Sequence, residues 1–136
     1  MRIAGELLAQ IVAHALEQPH AEVCGVVAVG EDGQTDGQAL KVLRAHNIHE
    51  SPMKFEIEPR ELLELNDACE ELGRLGAIYH SHVRSEPYPS QTDINFAANW
   101  PDVEWIIVGL AAGSEPNVRS YLIEDGVVRE VPLQAA

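Results

Sequence analysis

Short apolar runs recur along this chain, and their length limits the folds that it can adopt. Residues 23–30 and the largely apolar segment 103–110 contain eight residues each, and the six residues 77–82 begin with an apolar stretch and end in two histidines separated by a serine. Runs of that length suit buried strands, whereas a helix usually needs about ten residues or more. Further strands are predicted at 39–45, 54–57, 118–123 and 127–131. The sequence therefore predicts a domain built around a sheet, and Asp125-Gly126 predicts a hairpin turn between its last two strands.

Three other segments show helical periodicity. In residues 2–17 the apolar side chains recur every four positions from Ile3 onward, which places them on one face of a helix. A second helix is predicted to begin at Pro59, and a third covers 90–100. The strands alternate with these helices without a repeat, a linker or a shift in composition. This organisation indicates one α/β (α+β) domain spanning residues 1–136.

The net charge of the chain excludes two classes of partner. Its 136 residues include 22 Asp and Glu against 9 Lys and Arg, which gives a formal charge of −13 at pH 7. Such an excess of negative charge repels the phosphates of nucleic acids and of anionic membrane lipids. We therefore expect the protein to bind neither nucleic acid nor membrane. Only two of the cations are lysine, and an acidic, lysine-poor surface is one that a high-salt cytosol would favour.

The cysteine content and the longest apolar stretch bear on the compartment. Two cysteines, Cys24 and Cys69, are too few for a disulfide framework and indicate a reducing compartment. No targeting segment is recognisable. The longest uninterrupted apolar stretch, 105–113, is far shorter than a membrane span. These features predict a cytoplasmic protein.

The segment from residue 80 to residue 93 carries the most informative chemistry. In a strand, residues two apart project from the same face, so His80 and His82 would present two imidazoles side by side. A loop then brings in Ser90 and the carboxylate of Asp93. Two histidines and one aspartate form a suitable ligand set for catalytic zinc, which takes three protein ligands and leaves the fourth position to water.

Each part of this pattern has a purely structural alternative. A His-x-His pair on a strand is often half-buried packing. Ser90 and Asp93 have the spacing of a helix N-cap and its third position, a role that can coexist with metal binding. A Cys–His hydrolase built on Cys24 and His80 is a further alternative, although Cys24 lies in an apolar run where a small buried thiol is the default. His46 and His49 could bind metal adventitiously, but they are better explained as surface histidines.

The spacing H-x-H-x7-S-x2-D formed by His80, His82, Ser90 and Asp93 resembles the signature of the JAMM (MPN+) zinc metallopeptidases. The upstream glutamate of that family corresponds to Glu22, in a P-x-x-E-x-C-G segment; resemblance alone selects it from 16 glutamates. Similarity continues from about residue 6 to residue 131. It implies a single JAMM/MPN-type domain in which a curved, mostly antiparallel central sheet is flanked by about three helices.

The resemblance also implies a mechanism. One Zn²⁺ per chain would be held by His80, His82 and Asp93, with Glu22 as general base and then acid, and with Ser90 donating a hydrogen bond to the developing oxyanion. Every position of the signature is kept, which disfavours an inactive homologue. Cys69 is expected in the core.

The amino-acid sequence of residues 78–82 and 86–90 is most similar to that of a compact bacterial subgroup of this family. That subgroup acts on small ubiquitin-like sulfur-carrier proteins, so the resemblance implies hydrolysis of the amide bond after a C-terminal glycine, with release of cysteine or a short extension. A Gly-Gly tail would thread between residues 46–55 and 83–89 as an extended strand. Tyr88 and Trp100 would either contact the substrate or pack near the loop.

Two other functions remain open from the sequence. One is an isopeptidase that removes a ubiquitin-like modifier from the lysines of target proteins, and the other is a non-catalytic module that binds carrier proteins. Self-association is common in the family, so a homo-oligomer is compatible with the resemblance.

Overall fold

A computed structural model describes residues 1–111 and 115–136, so the last two residues of the apolar stretch 105–113 lie outside the described residues. The described residues form three helices and eight strands. In chain order they are β1 (Arg2–Ile3), α1 (Gly5–Glu17), β2 (Cys24–Val29), β3 (Ala39–Ala45), α2 (Pro59–Glu70), β4 (Arg74–His82), α3 (Gln91–Ala97), β5 (Glu104–Gly109), β6 (Asn117–Glu124), β7 (Val127–Val131) and β8 (Gln134–Ala135). None of these helices is long and apolar enough to cross a membrane.

Six of the strands form one sheet in the order β3-β2-β4-β5-β6-β7. Every neighbouring pair is antiparallel except β4 and β5, which are parallel and are joined by the crossover that contains α3. The predicted α/β (α+β) fold with a mostly antiparallel sheet and three helices is confirmed. The turn at Asp125-Gly126 is also confirmed, and both of its residues have positive φ.

The two faces of the sheet carry separate hydrophobic clusters. The cluster on one face lies between the sheet and α1, and it includes Ile11 of α1 and Tyr79 of β4, both fully buried. The cluster on the other face lies between the sheet and helices α2 and α3, and it includes Cys69, Ile78 and Trp105. Because side chains alternate along a strand, β4 directs Tyr79 to the first face and Ile78 to the second.

Three predicted boundaries are wrong by three residues each, whereas several strand ends differ by a single residue. The first helix begins at Gly5 rather than at residue 2, because the preceding residues form β1 and pair in parallel with β8. The third helix ends at Ala97 rather than at residue 100, since Trp100 precedes Pro101 and the residue before a proline avoids the helical conformation. Strand β4 begins at Arg74, three residues before the predicted start.

The predicted strand at residues 54–57 is wrong. That segment is not part of a sheet, and its hydrogen bonds go to the preceding loop. The amide of Glu56 donates to the side-chain oxygen of Asn47, and the carbonyl of Glu56 accepts from the amide of Ile48. A short β-branched or aromatic pattern does not distinguish these loop contacts from pairing with a strand.

Candidate metal centre

The candidate site lies where β4 ends and α3 begins. His80 and His82 project from the same face of β4, and their Nε2 atoms are 3.1 Å apart. Asp93, in the first turn of α3, places Oδ2 at 3.1 Å from Nε2 of His80 and at 3.4 Å from Nε2 of His82. All three side chains are buried. Three of the residues that the sequence selected therefore meet at one point.

The spacing of these three atoms fits a bound metal ion. Atoms arranged tetrahedrally around zinc at 2.0–2.1 Å are separated by about 3.3 Å. The separations of 3.1–3.4 Å among two imidazole nitrogens and a carboxylate oxygen match that value. Glu22 adds a fourth possible ligand, because it, His80 and His82 each place one donor atom within 4.8 Å of the others. The donor set and its spacing thus fit a divalent metal.

The N-terminus of α3 holds the Asp93 carboxylate in place. Oγ of Ser90 accepts a hydrogen bond from the amide of Asp93, and Oδ2 of Asp93 accepts one from the amide of Ser90 at 2.8 Å. This capping box confirms the predicted helix start. Burial acts to raise the pKa of Asp93, but the nearby imidazoles and the Ser90 amide outweigh it and hold the pKa well below its ordinary value. Asp93 is therefore ionised, as a metal ligand must be.

The surroundings of His82 fix its tautomer. Nδ1 of His82 lies 2.7 Å from the carbonyl oxygen of Glu86, an arrangement in which Nδ1 carries the proton and donates it. In the neutral ring, Nε2 then directs its lone pair toward the ligand atoms of His80 and Asp93. A hydrogen bond of this kind is what usually orients a metal-binding imidazole. Burial acts to lower the pKa of His82, but its hydrogen bonds with Asp93 and with the Glu86 carbonyl outweigh burial and raise the pKa.

His80 has a different environment, because its ring is fully buried and stacks on Phe55 with centroids 4.5 Å apart. Burial lowers the pKa of His80 despite the opposing influence of Asp93, which favours the neutral imidazole that binds metals. Within the described part of the chain, Nδ1 of His80 has no hydrogen-bond partner. The orientation of His80 therefore depends on the stacked ring of Phe55 and on the contacts of its Nε2 with His82 and Asp93. Phe55 falls in the predicted 46–55 segment and belongs to the pattern that resembles the family's connection into the second helix, but no role beside the histidines was predicted for it.

Glu22 lies beside the ligand atoms in the segment that enters β2. Its amide donates to the carbonyl of Ser51 at 2.8 Å, and its carbonyl accepts from Nδ2 of Asn47. Burial raises the pKa of the Glu22 carboxyl to about 7, with His82 opposing the rise and Asp93 adding to it. A carboxyl with that pKa can both accept and donate a proton near neutral pH.

Two buried polar side chains position the Glu22 segment, and sequence reasoning gave neither a role of its own. Oγ of Ser81 accepts from the amide of Val23, which ties the segment to β4 between the two histidines. Asn47 connects Glu22 to the loop, because it also donates to the carbonyl of Lys54. A buried Ser between two histidines was visible in the motif, but the contacts of Asn47 depend on tertiary structure.

This site can be compared with known proteins. The family model described as prokaryotic homologues of the JAB domain matches residues 5–124. The chain belongs to this family. The resemblance to the JAMM/MPN+ group is therefore confirmed, over nearly the same range that the sequence motifs indicated.

Two curated relatives and one solved structure show which members of the family this JAB chain resembles. It is 33% identical to a CysO-cysteine peptidase of Mycobacterium tuberculosis over 132 residues, which cover 96% of this chain and 88% of the relative. It is 34% identical to a desampylase of Haloferax volcanii over 113 residues, 79% of this chain and 78% of that one. A crystal structure of a JAB1/MPN domain protein from Archaeoglobus fulgidus shares the fold, with a TM-score of 0.65, 18% identity and coverage of 99% and 98%.

A cavity of about 200 Å³ opens beside the metal-ligand candidates of this JAB domain. Its lining includes Glu22, Pro52, Lys54, Phe55, Arg84 and Ser90. Parts of both predicted channel segments, 46–55 and 83–89, thus reach the site. Tyr88 and Trp100 are not in the lining. Tyr88 instead contacts the ring of Tyr121, and Trp100 packs against the core on the α2 and α3 face.

The alternatives built on cysteines and surface histidines are not supported by the geometry of the JAB domain. Cys24 is buried, and burial raises the pKa of its thiol to about 12, which keeps it protonated and a poor nucleophile. Cys69 lies in the core as predicted. Nε2 of His49 is 2.8 Å from Oε1 of Glu56, and Nε2 of His46 is 3.9 Å from Oε1 of Glu50. Both histidines thus pair with surface acids.

Proposed function

We propose that this JAB chain is a zinc metallopeptidase that hydrolyses the amide bond after the C-terminal glycine of a small ubiquitin-like protein. Membership of the family and its peptidase relatives support a hydrolase that acts on small modifier proteins. The observation that carries the proposal is the meeting of three ligand atoms, 3.1–3.4 Å apart, beside a glutamate whose pKa is about 7. That combination is the requirement for metal-assisted hydrolysis.

His80, His82 and Asp93 would hold one Zn²⁺ per chain. The chemistry that zinc supplies in such a set of ligands is a water activated near neutral pH and a polarised substrate carbonyl. The chain prepares for this by keeping Asp93 ionised and by holding the Nδ1 proton of His82 on the carbonyl of Glu86, so that Nε2 is the nitrogen of the neutral ring that would bind the metal.

Glu22 is the proposed proton carrier. Its carboxylate accepts a proton from the attacking water as the oxygen of that water bonds to the carbonyl carbon of the glycine. The same proton then passes to the amide nitrogen as the carbon–nitrogen bond breaks, so that the leaving group departs as a neutral amine. A pKa near 7 suits both halves of this transfer.

Ser90 is the proposed hydrogen-bond donor to the oxyanion. Its Oγ accepts the hydrogen bond that caps α3, and a hydroxyl group that accepts one hydrogen bond retains its own O–H to donate. Ser90 also lines the cavity beside Glu22 and Asp93. The capping and catalytic roles are therefore compatible in one side chain.

The preferred substrate is a ubiquitin-like sulfur carrier with a Gly-Gly terminus, from which the protein releases cysteine or a short extension. The relative named CysO-cysteine peptidase, which this chain covers almost fully, supports this preference. The desampylase relative favours the second candidate, an isopeptidase that removes a modifier from the lysines of target proteins.

Metal analysis and a cleavage assay test the proposal together. We expect about one zinc per purified chain, and we expect His80→Ala and Asp93→Ala to lose it. His49→Ala, which removes an exposed histidine paired with Glu56, should keep it. Mass spectrometry should show loss of a C-terminal cysteine from a Gly-Gly-Cys carrier adduct. A folded protein whose metal content does not respond to these substitutions, and which cleaves nothing, would instead be a carrier-binding module.

A further inference from the structure

We propose that Lys54 and Arg84 bind the free carboxylate of the leaving group, and so direct the enzyme toward a single C-terminal amino acid rather than toward lysine side chains. This inference rests on the proposed function, and it names the chemistry on the departing side of the bond. It comes from the distribution of charge around the cavity.

The cavity wall is unusual for a chain with a formal charge of −13. Its lining contains two cations, Lys54 and Arg84, and two carboxylates, Glu22 and Asp93. The proposed mechanism already assigns both carboxylates, one to proton transfer and one to the metal. The remaining charge on the wall is therefore positive, although acids outnumber cations by 22 to 9 in the whole chain.

Neither cation has an internal partner in the part of the chain that the structure describes. Within residues 1–111 and 115–136, no hydrogen bond or ion pair is formed by the side chain of Lys54 or of Arg84. Other arginines in the same chain do find acids. Arg119 lies 2.8 Å from Glu130, and Arg44 lies 2.5 Å from Glu17. Two unpaired cations that line one small cavity can receive an anionic group from outside.

The size and the other walls of the cavity indicate what that group belongs to. A volume of about 200 Å³ is below the range of about 300–1,000 Å³ that drug-sized ligands occupy. Pro52, Met53 and Phe55 give the cavity an apolar side. A single small amino acid fits these dimensions, with its side chain on the apolar wall and its carboxylate toward the cations.

The guanidinium of Arg84 suits this role because it can make two parallel hydrogen bonds to a carboxylate. Lys54 adds a point charge. An α-carboxylate lies next to the scissile amide when the leaving group is one amino acid. In an isopeptide bond the leaving amine belongs to a lysine inside a protein, and no free carboxylate lies at that distance. The two cations would therefore distinguish the two candidate substrate classes.

The test compares two adducts of one ubiquitin-like carrier, one ending in Gly-Gly-Cys with a free carboxylate and the other in the same sequence with a terminal carboxamide. The wild type should cleave the carboxylate form with kcat/KM higher by about 10- to 100-fold, because hydrogen bonds to charged groups have roughly that effect. The double variant K54Q/R84Q should abolish this preference, because the rate on the carboxylate form should fall to that on the amide form.

A second double variant, K41Q/R129Q, removes the same charge at two exposed positions outside the cavity and should keep the wild-type preference. Equal wild-type rates on the two adducts would overturn the inference and leave the proposed function standing. Equal losses on both adducts in K54Q/R84Q would also overturn it, because the cations would then contact the carrier. Failure of the zinc-loaded wild type to cleave either adduct would overturn the proposed function itself.

Discussion

Glu22 shows how a single side chain acquires its chemistry from its neighbours. Most glutamates of this chain are exposed, whereas Glu22 is only 7% exposed and faces His82 and Asp93. Its backbone is held on one side by Ser51 and on the other by Asn47. Burial then raises the carboxyl pKa to about 7, which suits the transfer of a proton.

The substitution Glu22→Gln tests this assignment. Glutamine has the same shape and cannot accept the proton, so we expect a loss of about 10²- to 10⁴-fold in kcat. The metal content should stay at the wild-type level, because the three proposed ligands are unchanged. Glu50→Gln, at an exposed position, serves as the control. A Glu22→Gln variant that turns over at the wild-type rate would show that another group carries the proton.

For individual site residues, the sequence predicts the relative positions of those that lie close together along the chain. His80 and His82 are two apart on a strand, and Ser90 and Asp93 are three apart at a helix start, so their relative positions follow from secondary structure. Glu22 is far away along the chain, and only family resemblance selected it. Asn47 and Phe55 act through contacts that exist only after the loop folds onto β4.

The start of α3 is the element that links stability to the site. The hydrogen bond from the Asp93 amide to Ser90 caps the helix, and the reverse bond from the Ser90 amide holds the carboxylate that faces the histidines. The orientation of a proposed ligand thus depends on a helix cap.

Two substitutions at Ser90 separate the cap from the proposed donor. Ser90→Ala should lower the free energy of unfolding by about 1 kcal/mol, whereas Ser90→Gly should lower it by only a few tenths, because glycine is tolerated at N-caps. Both variants lack the hydroxyl, so both should lose about 10²- to 10³-fold in kcat. Chemical denaturation and kinetics measure the two effects. If Ser90→Gly remained fully active, the serine would have only its capping role.

The pairing of β2 with β4 depends on a glycine. Gly25 is opposite Tyr79 in the register, and a Cβ at Gly25 would overlap the Tyr79 ring. The ring cannot easily move, because its hydroxyl is 2.7 Å from Nδ1 of His14 on α1 and the side chain is fully buried.

We therefore expect Gly25→Ala to destabilise the protein by about 1–3 kcal/mol, as overpacked core positions do. The measurement is the midpoint of urea unfolding. Gly5→Ala is the matched control, because among the described residues nothing beyond the adjacent residues and the backbone of its own helix lies within 4 Å of the added methyl group, and it should not lower stability. Equal stability of Gly25→Ala and wild type would mean that the tyrosine ring can rearrange at little cost.

Interior elements were more predictable than edge elements. The buried strands β2 and β5 have continuous apolar runs, and α1 has a clear periodicity, because each element buries one or both faces. The pairing of β1 with β8 joins the two ends of the chain through two residues on each strand, which is too short for any pattern. The segment 54–57 has the composition of a strand but lacks a neighbouring strand.

The net charge acts on the molecule as a whole. With a formal charge of −13, the protein repels an acidic partner at distances up to the Debye length, which falls from about 10 Å at 0.1 M salt to about 3 Å at 1 M. Contacts inside the cavity are shorter than either distance and are screened less. Salt therefore changes the encounter with the carrier more than it changes the chemistry.

This reasoning predicts that kcat/KM on an acidic carrier rises several-fold between 0.1 M and 1 M salt. A short, uncharged peptide ending in Gly-Gly-Cys should show no such rise, which controls for effects of salt on the enzyme itself. A fall in activity on the acidic carrier would contradict both the repulsion and the suggestion of a high-salt cytosol.

The position of β4 in the sheet has a consequence for how the site can be observed. The strand is paired on one side with β2 and on the other with β5, and it carries both histidines. Amide hydrogens of such an interior strand exchange with deuterium only when the whole molecule opens. Exchange at residues 77–82 should consequently report global unfolding, with or without metal, while the loop amides at 53–55 and 84–86, which lie outside the strands, should exchange sooner.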